Sequence, residues 1–93
     1  MDWEWDPEKA RSNNRKHRVT FDQAKIVFDD PNVVTALDDS SDEERWNAIG
    51  SSSGHVLFVV YTEPDADTVR IISARRADKH EQDRYYRQAL PQR

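Results

Sequence analysis

The stretch "HVLFVVYTEPDADTVRIIS", residues 55–73, decides the fold. Two runs rich in β-branched and aromatic residues, 55–61 and 68–73, flank acids, a proline and small residues, which is a turn composition. The connection has no room for a crossover helix, so the two runs pair antiparallel as a hairpin. Upstream, "RWNAIG" (45–50) is another β-rich run, set off from His55 by the turn "SSSG" (51–54), and "NVVTAL" (32–37) is a fourth. Together these predict a four-stranded antiparallel meander. Between the first two strands, "DDSSDEE" (38–44) carries five acids in seven residues and is expected to be a solvated loop.

The flanks read as helices. "WEW" (3–5) alternates like a short strand, with Trp3 and Trp5 on one face. Asp6 is a good N-cap and Pro7 suits the first helical position, predicting a helix from Pro7 to about His17. Its single apolar residue is Ala10, whereas Lys9, Asn13 and Lys16 share one face. That stripe points a lysine and an amide either at a ligand or at solvent. Thr20 and Gln23 form a capping box for a second helix, along which Phe21, Ala24 and Phe28 repeat at helical spacing until Pro31. Asp29 and Asp30 oppose the macrodipole at its C-terminal end, and nothing local accounts for them beyond exposure. Asp78 and Glu81 cap a last helix reaching about Leu90, before Pro91. The expected class is α+β, in the order short N-terminal strand, two helices, four-stranded antiparallel meander and C-terminal helix. It forms one domain over residues 1–93, because two would each be too small to support a core.

Hydrophobic residues make up 35% and charged residues 34%, so the core is thin; a net charge of -4 is too small to drive disorder. With no cysteine, there is neither a disulfide nor a thiolate site, and His17, His55 and His80 are too scattered for zinc. No metal or other cofactor is expected. The start "MDWEWD" is acidic, and no apolar run approaches membrane-spanning length, so a soluble cytoplasmic protein is expected.

Charge is segregated. Residues 70–87 hold six basic residues against three acids, residues 9–18 hold five basic residues and no acid, and residues 29–44 hold seven acids. A basic region on the first helix, last strand and last helix matches an RNA phosphate backbone, because the arginine fork grips phosphate oxygens in two places. The same arginines are equally able to pair with Asp29, Asp38 or Glu43, or to lie exposed as a solubilising face. DNA contact by this chain is disfavoured, since no helix carries a basic face suited to the major groove.

"WEWDPEKARSNNRKHRVTFDQAKIVFDDP", "ERWNAIG", "HVLFVVYTE" and "RIISARRADKHEQDRYY" together resemble the BrnT family of type II toxins, across about residues 3–87. "WD..K...N..KH" and "RIISAR" carry most of the resemblance. It implies a RelE-like ribonuclease fold and a translation-inhibiting, growth-arresting bacterial toxin. It also implies neutralisation by a BrnA-like antitoxin whose ribbon-helix-helix region supplies DNA binding in the complex. The chain departs from the family pattern at Arg18, where a helix-ending Gly is usual, and at Glu63 and Pro64, where relatives often carry a basic residue.

The implied chemistry is metal-independent: the ribose 2′-OH attacks the adjacent phosphate, which requires proton transfer and stabilisation of charge on phosphorus. On this reading Arg70 and Arg75 hold the scissile phosphate. Lys9 and His17 are the proton-transfer candidates, Tyr85 is a further donor, and Asn13, Lys16, Arg45, Arg76 and Lys79 bind RNA. The rival is a noncatalytic module that binds RNA or a partner protein. One geometric condition applies: Arg70 and Arg75 project to opposite faces of a regular strand, and share a face only if the strand ends or bulges near Ser73.

Overall fold

The computed structural model describes residues 1–39 and 44–89; Glu43, offered above as one alternative partner for the arginines, most of the acidic loop and the Leu90–Pro91 helix end lie outside them. The elements are β1 (Asp2–Glu4), α1 (Pro7–His17), α2 (Phe21–Ile26) with a 3-10 turn (Val27–Asp29), β2 (Val34–Asp38), β3 (Arg45–Ser52), β4 (His55–Asp65), β5 (Thr68–Arg76) and α3 (Lys79–Ala89). The five strands form one sheet in the order β1-β5-β4-β3-β2. The meander is antiparallel as expected, and β1 adds a parallel strand beside β5, pairing Asp2 with Thr68, Trp3 with Val69 and Glu4 with Arg70.

The first two helices start where their caps predict. Asp6 Oδ1 accepts from Glu8 N at 2.8 Å, and Pro7 opens α1. Thr20 and Gln23 form the reciprocal capping box of α2. Rather than running helically to Pro31, that element tightens after Ile26 into the 3-10 turn, which lies against β3. Gly50 is needed there: a Cβ would sit 2.8 Å from Val27 Cγ1.

α1 ends on Arg18, whose φ of 58° is left-handed and whose N–H reaches Asn14 O at 2.8 Å. The chain thus keeps the backbone geometry that Gly favours, with a cationic residue in its place.

One sheet face carries α1 and α2 and buries Phe21, Ala24, Val27, Ala48, Val59 and Ile71, with Trp3 and Trp5 packed against the same cluster. The smaller opposite cluster is Ile49, Ala77 and Tyr85, with Val34, Val56 and Phe58, where α3 lies on the sheet. Across the hairpin the turn is tighter than its composition indicates, because Asp65 pairs with Thr68 and only Ala66 and Asp67 lie between. Pro64 falls within a ladder irregularity, where a missing N–H disrupts no pairing.

The "SARR" segment stays in the strand. Tyr61 pairs with Ile71 but Val60 pairs with Ser73, so Ile72 is an extra residue, a β-bulge. It reverses the side-chain alternation. Ile71 before the bulge and Ala74 after it both join the helix-side core, which sets Arg70 and Arg75 on the same, opposite face.

Candidate functional site

β1 pairs with β5 only as far as Arg70, and α1 then leaves the sheet. The departure opens a notch of about 500 Å³ at the sheet edge, lined by Glu4, Trp5, Asp6, Lys9, Arg45, Thr62, Arg70, Ile71 and Ile72. Its volume falls within the range of about 300–1,000 Å³ usual for small-ligand sites, enough for one nucleotide. Five elements supply it: Glu4 comes from β1, Lys9 from the first turn of α1, Arg70 from β5, Thr62 from β4 as the cross-strand partner of Arg70, and Arg45 from the start of β3. Arg45 stands opposite Asp38 of β2.

Arg70 Nε donates to Glu4 Oε1 at 2.9 Å, and both side chains remain about half exposed, at 56% and 43%. Only Nε of the Arg70 guanidinium is engaged there; its two terminal nitrogens have no protein partner among the described residues. A phosphate in the notch meets three cationic side chains from three elements.

A shallower groove continues along α1, lined by Lys9, Ser12, Asn13, Lys16, His17, Ile72 and Ser73. Lys9 and Ile72 belong to both hollows. His17 lies eight residues from Lys9, about 12 Å along the helix at 1.5 Å per residue, so it lines the groove and not the notch at Arg70.

Asn13 is 7% exposed and its amide is engaged with backbone. Its Nδ2 donates to Val19 O at 3.0 Å and to Ala74 O at 2.8 Å, while its Oδ1 accepts from Ala74 N at 3.1 Å. The side chain takes the place of a neighbouring strand along β5 beyond the end of β1, which covers an otherwise open sheet edge. Of the α1 stripe, Lys9 and Lys16 are exposed and Asn13 serves the fold.

Arg75 shares a face with Arg70, but their partners Phe58 and Thr62 are four residues apart on β4, which sets the two arginines about 13 Å apart at the usual strand rise. Its guanidinium makes a two-pronged contact with Glu81, at 2.8 and 2.9 Å, and lies 4.4 Å from the centre of the Phe58 ring. Glu81 in turn caps α3 through Asp78 N at 2.8 Å. Its hydrogen bonds to Glu81 are the main reason the Arg75 pKa is held above its ordinary value. Arg75 therefore fastens α3 to the sheet. Arg76 and Lys79 lie still farther from the notch, both exposed.

Tyr85 is 6% exposed under α3, and its hydroxyl donates to Asp30 Oδ2 at 2.6 Å. Burial, reinforced by the Asp30 hydrogen bond and charge, pushes its pKa up to about 12. Asp30 also accepts from Ser51 N and Asn32 N at 2.8 and 2.9 Å. Burial raises its pKa, but those hydrogen bonds outweigh it and hold the carboxyl below its ordinary value. This is the role of the acid at the end of the second helical segment: it joins the 3-10 turn, β3 and α3.

Of the residues singled out from sequence, Lys9, Arg45 and Arg70 thus converge; Lys16 and His17 line the adjoining groove; Asn13, Arg75 and Tyr85 hold elements together. Sequence reasoning passed over Glu4 and Thr62. The alternation of "WEW" sets Glu4 opposite the tryptophans, a readable signal, but its partner emerges only from the parallel β1–β5 pairing. Among the described residues no three His, Asp or Glu side chains gather as a metal site, and no helix is long and apolar enough to cross a membrane.

A family model described as the ribonuclease toxin, BrnT, of type II toxin-antitoxin systems matches residues 5–81. The chain is also similar in structure to the Brucella abortus ribonuclease toxin, BrnT, with a TM-score of 0.69 and 22% identity, covering 85% of this chain and 99% of that one. Among curated proteins, none matches.

Proposed function

The chain belongs to the BrnT family of ribonuclease toxins of type II toxin-antitoxin systems, and from that premise we propose that the notch between β1, α1 and β5 is where it cuts RNA. The observation that carries this reading is the convergence of Lys9, Arg45 and Arg70 on one nucleotide-sized hollow at the strand edge. Those cations stabilise the charge that develops on a five-coordinate phosphorus, a contribution of about 10²–10³ in rate per well-placed donor. The ribose 2′-OH attacks the phosphate without a metal ion, leaving a 2′,3′-cyclic phosphate and a 5′-hydroxyl. Lys16 and His17 guide the next nucleotide along the groove of α1.

As a type II toxin, the protein has a cognate antitoxin. We infer that this antitoxin carries a ribbon-helix-helix region, which supplies DNA binding to the complex, and that a segment of it shields the basic notch.

The test uses the purified protein with a defined RNA in EDTA, with and without ribosomes, reading both product ends. The expected result is cyclic-phosphate and 5′-hydroxyl ends, lost in Arg70→Ala and in Lys9→Ala while both variants stay folded. An absence of cleavage under every condition, with RNA or antitoxin still bound, would establish a noncatalytic binding module in its place.

A further inference from the structure

We propose that Glu4 is the general base of this reaction, accepting the proton of the attacking 2′-hydroxyl; this rests on the notch being the site of RNA cleavage. Two carboxylates line the notch. Asp6 is committed to the N-cap of α1 through Glu8 N. Among the described residues the one hydrogen-bond partner of the Glu4 side chain is Arg70, whose Nε donates to it at 2.9 Å. That bond uses one edge of the guanidinium and leaves the terminal nitrogens for a phosphate, so the carboxylate stands beside whatever phosphate Arg70 holds. The 2′-oxygen attacking that phosphate lies within hydrogen-bond reach of such a position, which is the geometric requirement for a base.

The other proton-transfer candidates are placed less well. Tyr85 is buried with its hydroxyl on Asp30 and lines neither hollow, and His17 lies about 12 Å along the helix from Lys9. A purely structural role for the Glu4–Arg70 pair is energetically thin, since ion pairs this exposed contribute about 0–1 kcal/mol. The charged groups that line the notch with Glu4 are Arg70 from β5, Arg45 from β3, Lys9 from the start of α1 and its N-cap Asp6.

The step balances. The O2′–P bond forms as Glu4 takes the 2′-hydroxyl proton; the P–O5′ bond breaks and its oxygen takes a proton from the Lys9 ammonium. Solvent then carries the proton from Glu4 back to Lys9.

The experiment compares wild type with Glu4→Gln and Glu4→Asp in single-turnover cleavage of a defined RNA in EDTA from acidic to alkaline pH. Binding is followed separately with the same RNA made uncleavable by a 2′-deoxy substitution at the cut. Glutamine keeps an acceptor for Arg70 but cannot take the proton. Expected for Glu4→Gln is a rate lower by roughly 10²–10⁴, unchanged or tighter binding of the deoxy RNA, and loss of the acid limb of the pH–rate profile. Glu4→Asp recovers part of the rate and keeps that limb. A Glu4→Gln variant that cleaves like wild type overturns the assignment, and so does one that loses rate and deoxy-RNA affinity together. A wild type that cuts no RNA overturns the ribonuclease reading itself, which an active wild type with an active Glu4→Gln leaves intact.

Discussion

Replacing Asn13 by alanine separates scaffold from site most sharply. The side chain makes three hydrogen bonds to backbone, two of them to Ala74, and is 7% exposed. Each bond contributes about 1 kcal/mol net, and a buried group left unpaired costs about 1–3 kcal/mol. Water can enter where the amide was, because the β5 edge lies beside the open groove, so a total loss of about 3 kcal/mol is expected. For a domain this size the thermal midpoint drops by roughly 4–8 °C per kcal/mol. Urea unfolding at constant m is the assay, and the midpoint should fall by about 2 M if m lies in the usual range for small domains. Asn13→Asp should be at least as damaging, because a carboxylate still accepts from Ala74 N but meets two carbonyl oxygens to which it cannot donate. RNA affinity per folded molecule should be unchanged in both. A variant of wild-type stability that has lost RNA affinity would refute the reasoning and return Asn13 to the ligand.

Arg75→Ala should destabilise by about 1–2 kcal/mol through loss of the Glu81 fork and the Phe58 contact, a value kept low by its partial exposure. Its cleavage rate should stay within about threefold of wild type; a stable but inactive variant would place Arg75 in the reaction. Stability should be flat through neutral pH and fall at both ends. Asp30, with a lowered pKa, contributes above its unfolded value of 3.8 and loses that contribution as pH drops through the folded one. Tyr85 contributes fully below its unfolded value of 10.0 and loses that as pH rises towards about 12, as does Tyr61, which burial also pushes up to about 12. Urea titrations across pH, repeated on Tyr85→Phe, should show a shallower alkaline fall and unchanged cleavage. Arg18→Gly should raise stability by up to about 1 kcal/mol by relieving a left-handed non-glycine residue; a lower melting temperature would show that its side chain matters more than its φ.

What was legible in the sequence was local. Asp6 with Pro7, Thr20 with Gln23 and Asp78 with Glu81 declare helix starts within three residues of themselves, and all three interactions or positions are present. The strands read equally well, because alternation and turn residues are short-range signals. Less of the site could be read, because its parts meet through long-range pairing. The Ile72 bulge leaves no mark in "RIISARR" beyond poor β-formers, yet it decides which face Arg75 occupies. Asp30 looks like a misplaced acid until Ser51 and Tyr85 arrive from elsewhere in the chain. Arg75 and Tyr85 have the right chemistry for a ribonuclease, but their partners Glu81 and Asp30 give both a different task.

The parallel pairing of β1 with β5 has a consequence in time. Glu4 and Arg70 are 66 residues apart, and β1 can find its place only after the β4–β5 hairpin exists to receive it. Closing so long a loop is slow compared with forming the capped helices or the hairpins. The notch is therefore among the last parts of the molecule to form. A chain still folding, or one cut short before β5, has not brought Lys9, Arg45 and Arg70 together, so the cluster of cations exists only once the fold is complete.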